Sequence, residues 1–363
     1  MTKSSCRAAW RGLLLHAALP SLLASASACG PAGPAPPPEV AITVPRGGRV
    51  VVYVEAPRAI AGPILKTFTE QSGIEVQATY RESLKERFLP RLKEDAAAGR
   101  ADLFWGASPL AAIDLQTSGL AVPFRPAAAR PIPSQFRDAG FAWIGFAIDP
   151  RVIIYNKARV EKEHAPGSIA DMADGPYAGK GALARIDHGA SAFHAASLFS
   201  LWGADRARTF LNRVKGNGTR IVAGDSEVVR LVASGEALWG FVGLDDAIGA
   251  KREAEPVDIL FPERMSLGAV ASPYVAVLLR GAPDPSQARG LYGYLFSSET
   301  AWQLGMNDRA IITLLPDIPK PDWVPRMGVF NVMRVDNLSV FEAFRDNGPF
   351  FEAWGSGGAA PVP

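Results

Sequence analysis

The sequence predicts an α/β protein built on a mainly parallel sheet, and three observations predict it. Short runs rich in β-branched and aromatic residues, such as Val50–Val54 (VVVYV), Ala101–Trp105 (ADLFW) and Ala237–Val242 (ALWGFV), alternate with longer amphipathic stretches. Ser72-Gly73, Ser118-Gly119 and Ser234-Gly235 close those stretches as helix stops do. A length of 363 residues, 48% of them hydrophobic, is enough for one large or two medium cores.

The first residues read as an address rather than as fold. Lys3, Arg7 and Arg11 form a basic start, and Gly12–Ala28 is apolar, small and interrupted by Pro20. It is short for a membrane span, so residues 1–28 read as a secretory signal. Ala26-Ser27-Ala28-Cys29-Gly30 resembles a lipobox, which makes Cys29 the expected lipidation site and the mature N-terminus. The other cysteine, Cys6, lies in the removed part, so the mature chain has no internal disulfide. Gly30–Pro38 (GPAGPAPPP) prefers extended polyproline geometry, and residues 29–48 are expected to act as anchor and linker. The expected location is the periplasm or the outer face of a bacterial membrane.

Arg49 starts the fold with the strand Val50–Val54, followed by a helix over Ile60–Gln71. Ile74–Tyr80 is a strand, Leu84–Ala98 a helix interrupted by Pro90, and Ala101–Trp105 a third strand before a helix over Leu110–Thr117. Phe124–Phe136, rich in Pro and Arg, reads as surface loop. Phe141–Phe146 is aromatic, and Arg151–Asn156 (RVIIYN) is a separate strand. Leu183–Asp187 is a strand that exits through His188-Gly189-Ala190-Ser191 into a helix, so Ser191 marks a potential anion site at a helix N-terminus. Helix Arg206–Lys215 and strand Arg220–Val222 follow. In Gly224–Ala250, Asp225 or Ser226 is expected to cap a helix over Val228–Ala233, and a buried strand ends at Val242. Asp245 and Asp246 then stand beyond the carboxyl end of a strand, where ligands of open α/β sheets bind; alternatively they begin the next helix. Val257–Phe261 is a strand, and Pro273 inside the apolar Ala269–Leu279 argues for a bent crossing rather than one central strand. Helices over Ser286–Leu295, Ser298–Leu304 and Phe341–Trp354 complete the chain.

A net charge of +2 gives no basic field for nucleic acid. No Walker loop, GxGxxG turn after the first strand, GxSxG elbow or zinc-type Cys/His spacing is present. No nucleophile–base pair points to an enzyme. An exported hydrolase using paired carboxylates, or a ligand-presenting sensor partner, is the alternative to a binding protein.

Taken together, VVVYVEA, ADLFWGASP, SGLAVPF, RVIIYN, GNGTRIVAGDSEVVRLVASGEALWGFVGLDDA and YVAVLLRGAPDPSQARGLYGYLFSSE resemble a type II periplasmic solute-binding protein of an ABC importer. They are most similar to the iron(III)-binding branch and span roughly Arg49–Leu315. The resemblance implies two lobes of mixed sheet joined by hinge strands, with residues 49–140 plus 269–316 as one lobe and 141–268 as the other. Residues 317–363 would form a C-terminal helix on either lobe and a tail. A solute held in the cleft would be passed to a membrane permease and its ATPase by a monomer that needs no cofactor and contacts no nucleic acid.

Leu244-Asp245-Asp246 stands where iron-binding relatives place a Tyr-Tyr pair, and Glu55 and Ser108 stand where they use His or Glu. Two carboxylates ligate a hard cation or pair with an organic ammonium. Asp245 and Asp246 are therefore the expected metal ligands, with Fe(III) as cargo. With Arg58, Arg81, Arg151 and His188 opposite them, they would instead suit a zwitterion such as an aminophosphonate. Trp105 and Tyr274 are expected to stack on the solute.

Overall fold

The computed structural model describes residues 39–41, 43–262, 267–309 and 311–355. The signal segment, Cys29 and the Pro-rich run lie outside the described residues. Within the expected linker, β1 (Glu39–Val40) already pairs with a later strand, so the fold begins ahead of Arg49. The first α/β units then follow the sequence pattern. β2 (Arg49–Val54) leads through Pro57 into α1 (Arg58–Ser72), which stops at Gly73 in the left-handed conformation, φ 72°, its N–H returning to Thr69 O at 2.8 Å. β3 (Glu75–Tyr80), α2 (Arg81–Leu84) and α3 (Phe88–Ala97) come next. Pro90 does not interrupt a helix; it lies in the first turn of α3, where its missing N–H costs nothing. β4 (Leu103–Gly106), α4 (Pro109–Thr117), β5 (Ala121–Val122) and β6 (Arg125–Pro126) succeed them, β6 being the partner of β1. The segment read as surface loop buries Phe124, Ile132 and Phe136, because its apolar side chains plug the core beneath an irregular backbone.

The largest departure from the sequence reading is β7 (Ile144–Asn156), a strand of 13 residues where only Arg151–Asn156 was expected. It runs straight through Asp149-Pro150. Ile144–Pro150 pairs with β12, and Arg151–Asn156 pairs with β10 and β11. Pro150, lacking a donor, sits where the strand changes partners.

The rest builds the second half. It comprises α5 (Ala170–Asp174), β8 (Gly181–Ala184), α6 (Gly189–Trp202), α7 (Ala204–Gly216), β9 (Arg220–Val222), α8 (Asp225–Ala233), β10 (Trp239–Gly243), α9 (Leu244–Arg252) and β11 (Val257–Leu260). β12 (Ala271–Leu279) returns the chain. It is a single strand despite Pro273; the strain is taken up by a register shift between Tyr274 and Val275. Two helices, α10 (Pro285–Leu295) and α11 (Ser298–Met306), precede β13 (Ile312–Thr313), and the last expected helix is two, α12 (Asn337–Asp346) and α13 (Gly348–Gly355). α12 packs on both α4 and α6, so it touches elements from either side of the crossing.

The strand order is β3-β2-β4-β12-β7-β10-β8-β9. The outer trios β3-β2-β4 and β10-β8-β9 are parallel, and β12 and β7 join them by antiparallel ladders. Helices cover both faces, so Val50, Val52 and Val54 enter one apolar cluster and Tyr53 the other. Among the described residues, no helix is long and apolar enough to cross a membrane. The architecture thus places two long strands, β7 and β12, side by side at the centre, with the carboxyl end of β10 opening on their crossing.

Candidate functional site

β10 ends at Gly243, and Leu244 starts α9 directly. Asp245 and Asp246 therefore lie in the first turn of a helix, as the alternative reading expected, and a carboxylate is favoured there by the helix dipole. Capping alone does not account for their burial. Asp245 is 5% exposed, a depth at which an aspartate needs partners. Its N–H donates to Asp149 Oδ1 at 3.1 Å, and its own Oδ1 accepts the Asp246 N–H at 2.7 Å. Asp149 reaches this point because β7 continues past Phe146. A Cβ on Gly243 would come closer than 3.0 Å to both Asp149 Oδ2 and Asp245 Oδ1, so the two carboxylates flank one glycine.

Asp225 is the fourth acid. It was expected to cap α8, but the cap is Gly224, without a side-chain bond, because Asp225 is drawn away. Its carboxylate takes both terminal nitrogens of Arg151 and the Gly243 N–H, the last at 3.1 Å. Arg151 is 2% exposed and also donates to Phe241 O at 2.8 Å. The expectation that Arg151 contacts solute is corrected: it is a buried tie between β7, β10 and α8. The remaining cation is Arg309, whose Nη1 meets Asp246 Oδ1 at 2.7 Å.

Four carboxylates thus face two guanidiniums in a largely dry space. Burial raises three of them, Asp149, Asp245 and Asp246. Asp149 is pushed up to about 7, burial outweighing the pull of Arg151. Asp246 is pushed up to about 8 by burial and by Asp245, and Asp245 is raised well above the usual range by burial, Asp149 and Asp225. Tyr274 completes the group. Ser272 pairs with Asp149 across β12 and β7, so Tyr274, two residues on, shares that face. It is 4% exposed, and its phenol is held protonated by burial and by all four acids. Tyr274, expected to stack on the solute, lies close enough to the acids to feel all four.

Residues expected on the opposite wall form a second group. Glu55 binds the Ala107 N–H at 3.1 Å through Oε2 and Arg81 Nη1 at 3.2 Å through Oε1. Ser272 donates to Ala107 O at 2.8 Å, so the chain Glu55, Ala107, Ser272, Asp149 connects the two groups at the crossing. Arg58 lies over the Tyr80 ring instead of facing the acids. Two further expectations are corrected. Trp105 is fully buried, its ring packed edge-on against Phe146 at 5.2 Å, because β4 is covered on both faces. Ser108 is buried at the start of α4 and makes no side-chain cap bond. Ser191 lies behind Arg151, lining with His194 and Phe241 a narrow apolar cavity of about 40 Å³. His188 beside it is engaged by Asp187, as is Arg185, and the pair holds Asp187 down to about 2 against the upward push of burial.

The reading from sequence missed Asp149, Arg309 and the tie through Asp225. Only Asp149 left a signal: an acid next to Pro, between two apolar runs short enough to be one strand. Among the described residues, no group of three or more His, Cys, Asp or Glu side chains is placed to hold a metal ion.

The family profile of bacterial extracellular solute-binding proteins matches residues 64–328. The chain belongs to this family. This solute-binding protein is 27% identical over 195 residues to the Fe(3+)-binding periplasmic protein of Serratia marcescens, an alignment covering 53% of the chain and 56% of that relative. Its fold matches iron-bound HitA from Pseudomonas aeruginosa with a TM-score of 0.75 at 18% identity, covering 85% of the chain and 98% of HitA. It matches AfuA from Actinobacillus pleuropneumoniae, solved with fructose-6-phosphate, with a TM-score of 0.70 at 17% identity, over 85% of the chain and 97% of AfuA. The fold is the two-lobed periplasmic-binding-protein type; it does not itself choose between those ligands.

Gly243→Ala is expected to cost about 1–3 kcal/mol of stability, since the new methyl would be wedged between two carboxylates in a well-packed crossing. The backbone at φ −63° accepts alanine, so the loss would come from the carboxylates alone. Chemical denaturation of the two proteins measures it.

Proposed function

We propose that this protein captures a small solute in a cleft at the β7–β12 crossing and delivers it to an ABC permease. The lobes would be residues 49–140 plus 269–316 and residues 141–268, anchored outside the membrane through Cys29. Asp245, Asp246 and Asp149 would grip the solute's positive end, with Tyr274 donating beside them. Glu55 and Arg81 would frame the other side. One observation carries this reading: two buried acids, Asp149 and Asp245, and the partly buried Asp246 meet where β10 ends against β7, and among the described residues only Arg309 pairs with any of the three. The hydrolase alternative is not favoured, since the family is one of binding proteins.

The cargo is either an iron(III) chelate or an aminophosphonate-like zwitterion. The Serratia relative's name favours iron. The crossing itself favours a ligand that brings oxygen atoms or an ammonium, because its acids bond to backbone and arginine and not around a common point. A thermal-shift screen of the mature domain against ferric citrate, 2-aminoethylphosphonate and sugar phosphates tests the reading. The true ligand at about 100 times its Kd should add about 2.7 kcal/mol of stability. Asp245→Asn should abolish that shift without unfolding the protein; an unchanged shift in this variant would sink the assignment.

A further inference from the structure

We propose that Arg309 occupies the position of the solute's cationic group and leaves when the solute enters. This rests on the acid cluster being the solute site. The two arginines of the cluster are held very differently. Arg151 comes from the central strand, is 2% exposed and is bound at three points. Arg309 comes from the turn after α11, its side chain is 36% exposed, and it makes one hydrogen bond to the cluster, to Asp246. Its backbone N–H is bent back onto Asn307 Oδ1 at 2.9 Å, so the turn presents the side chain toward α9.

One side of it is closely packed and the other is open. Arg309 lies across Gly249 of α9, where a Cβ would stand 3.3 Å from Nη1. It also borders a surface recess of about 410 Å³, shared with Ser226, Arg230, Gly249 and Asp246. A guanidinium released from Asp246 therefore has somewhere to go. The second ion pair of the same turn, Asp308 with Arg252 at 2.7 Å, keeps the turn on α9 when the first is broken. Tyr274 points independently to a ligand. It is 4% exposed, faces the same acids, and its hydroxyl takes no hydrogen bond among the described residues. A phenol hydroxyl beside the acids and without a protein partner is open to one from a bound molecule. The geometry is that of a site whose charge is provisionally satisfied from within, by a side chain that competes with cargo.

The test is calorimetry on the mature protein with ferric citrate, putrescine and 2-aminoethylphosphonate. Arg309→Ala should bind whichever probe the wild type binds at least tenfold more tightly. Arg309→Lys, which keeps a cation in place, should stay near wild type. Methylguanidinium should compete with the probe in Arg309→Ala and not in the wild type. Gly249→Ala, a change that favours the helix while crowding Nη1, should shift affinity in the same direction, and it keeps the test intact should Arg309→Ala fold poorly. Equal or weaker binding by folded Arg309→Ala or Gly249→Ala overturns this inference and leaves the site assignment standing. A wild type that binds none of the three probes overturns both.

Discussion

Replacing Arg151 by methionine is expected to destabilise the protein by about 3–5 kcal/mol, the largest effect of any single change at the crossing. Arg151 neutralises Asp225 through both terminal nitrogens and ties Phe241 O, while its guanidinium lies over the Phe241 ring at 5.3 Å. Its Nε has no partner, so part of the desolvation cost of the tie is left uncompensated. Methionine would fill the apolar part of the space but leave the Asp225 carboxylate without its cation. The loss is therefore mostly that of stranded charge. Two consequences separate this from simple loss of packing. Asp225→Asn alone should cost less, because Arg151 keeps Phe241 O and the asparagine Oδ1 as acceptors. The double variant should recover about 1–3 kcal/mol of the summed single losses, as contacting charges couple. Urea denaturation of the four proteins measures this; additive losses would show that the pair is incidental.

The same residues show how far sequence carries. The strands β2, β4 and β10 were legible because burial on both faces demands unbroken apolar runs, and their helices because Ser-Gly stops mark the ends. Asp245 and Asp246 were legible as a place, since the residues after a buried strand are confined to one end of the sheet. Their setting was not. Asp149 and Asp245 bond across 96 residues of sequence, and Asp246 and Arg309 across 63. Nothing local distinguishes such a residue from an ordinary surface charge. From sequence β7 shows only its second half, Arg151–Asn156, because Asp149-Pro150 breaks the apolar pattern, and that break is where the strand changes partners. Residue type alone marks Arg151 and Trp105 as solute contacts; burial, which decides between a clamp and a core tie, is a property of the packed molecule.

Stability should fall as pH rises from about 5 to about 9, contrary to the behaviour of a protein held by ionised salt bridges. Asp149 and Asp246 titrate near 7 and 8 in the folded protein, against an unfolded value of 3.8, and Asp245 is shifted the same way. The folded state therefore binds protons that the unfolded state has already lost. That contribution is fully present below about 4 and is lost as pH passes through 7 and 8, at up to about 1.4 kcal/mol per pH unit for each group. Because the groups interact, their joint loss is less than the sum of the separate ones, and a fall of several kcal/mol is expected. His194 works in the opposite sense. Burial, with Arg151 beside it, lowers it from 6.5 to about 3, so its contribution is present above about 6.5 and fades on acidification. Asp187, lowered to about 2, likewise gives stability that is lost only in strong acid. The acid cluster and His194 thus oppose each other below about 6.5, and above it the cluster acts alone. Denaturant midpoints from pH 5 to 9 in wild type and in Asp149→Asn/Asp246→Asn decide the matter. The double variant, with nothing left to ionise at either position, should lose most of the alkaline decline. A decline of equal slope in both proteins would mean that these carboxylates are ionised in the native state, and with that the case for a site short of positive charge would fail.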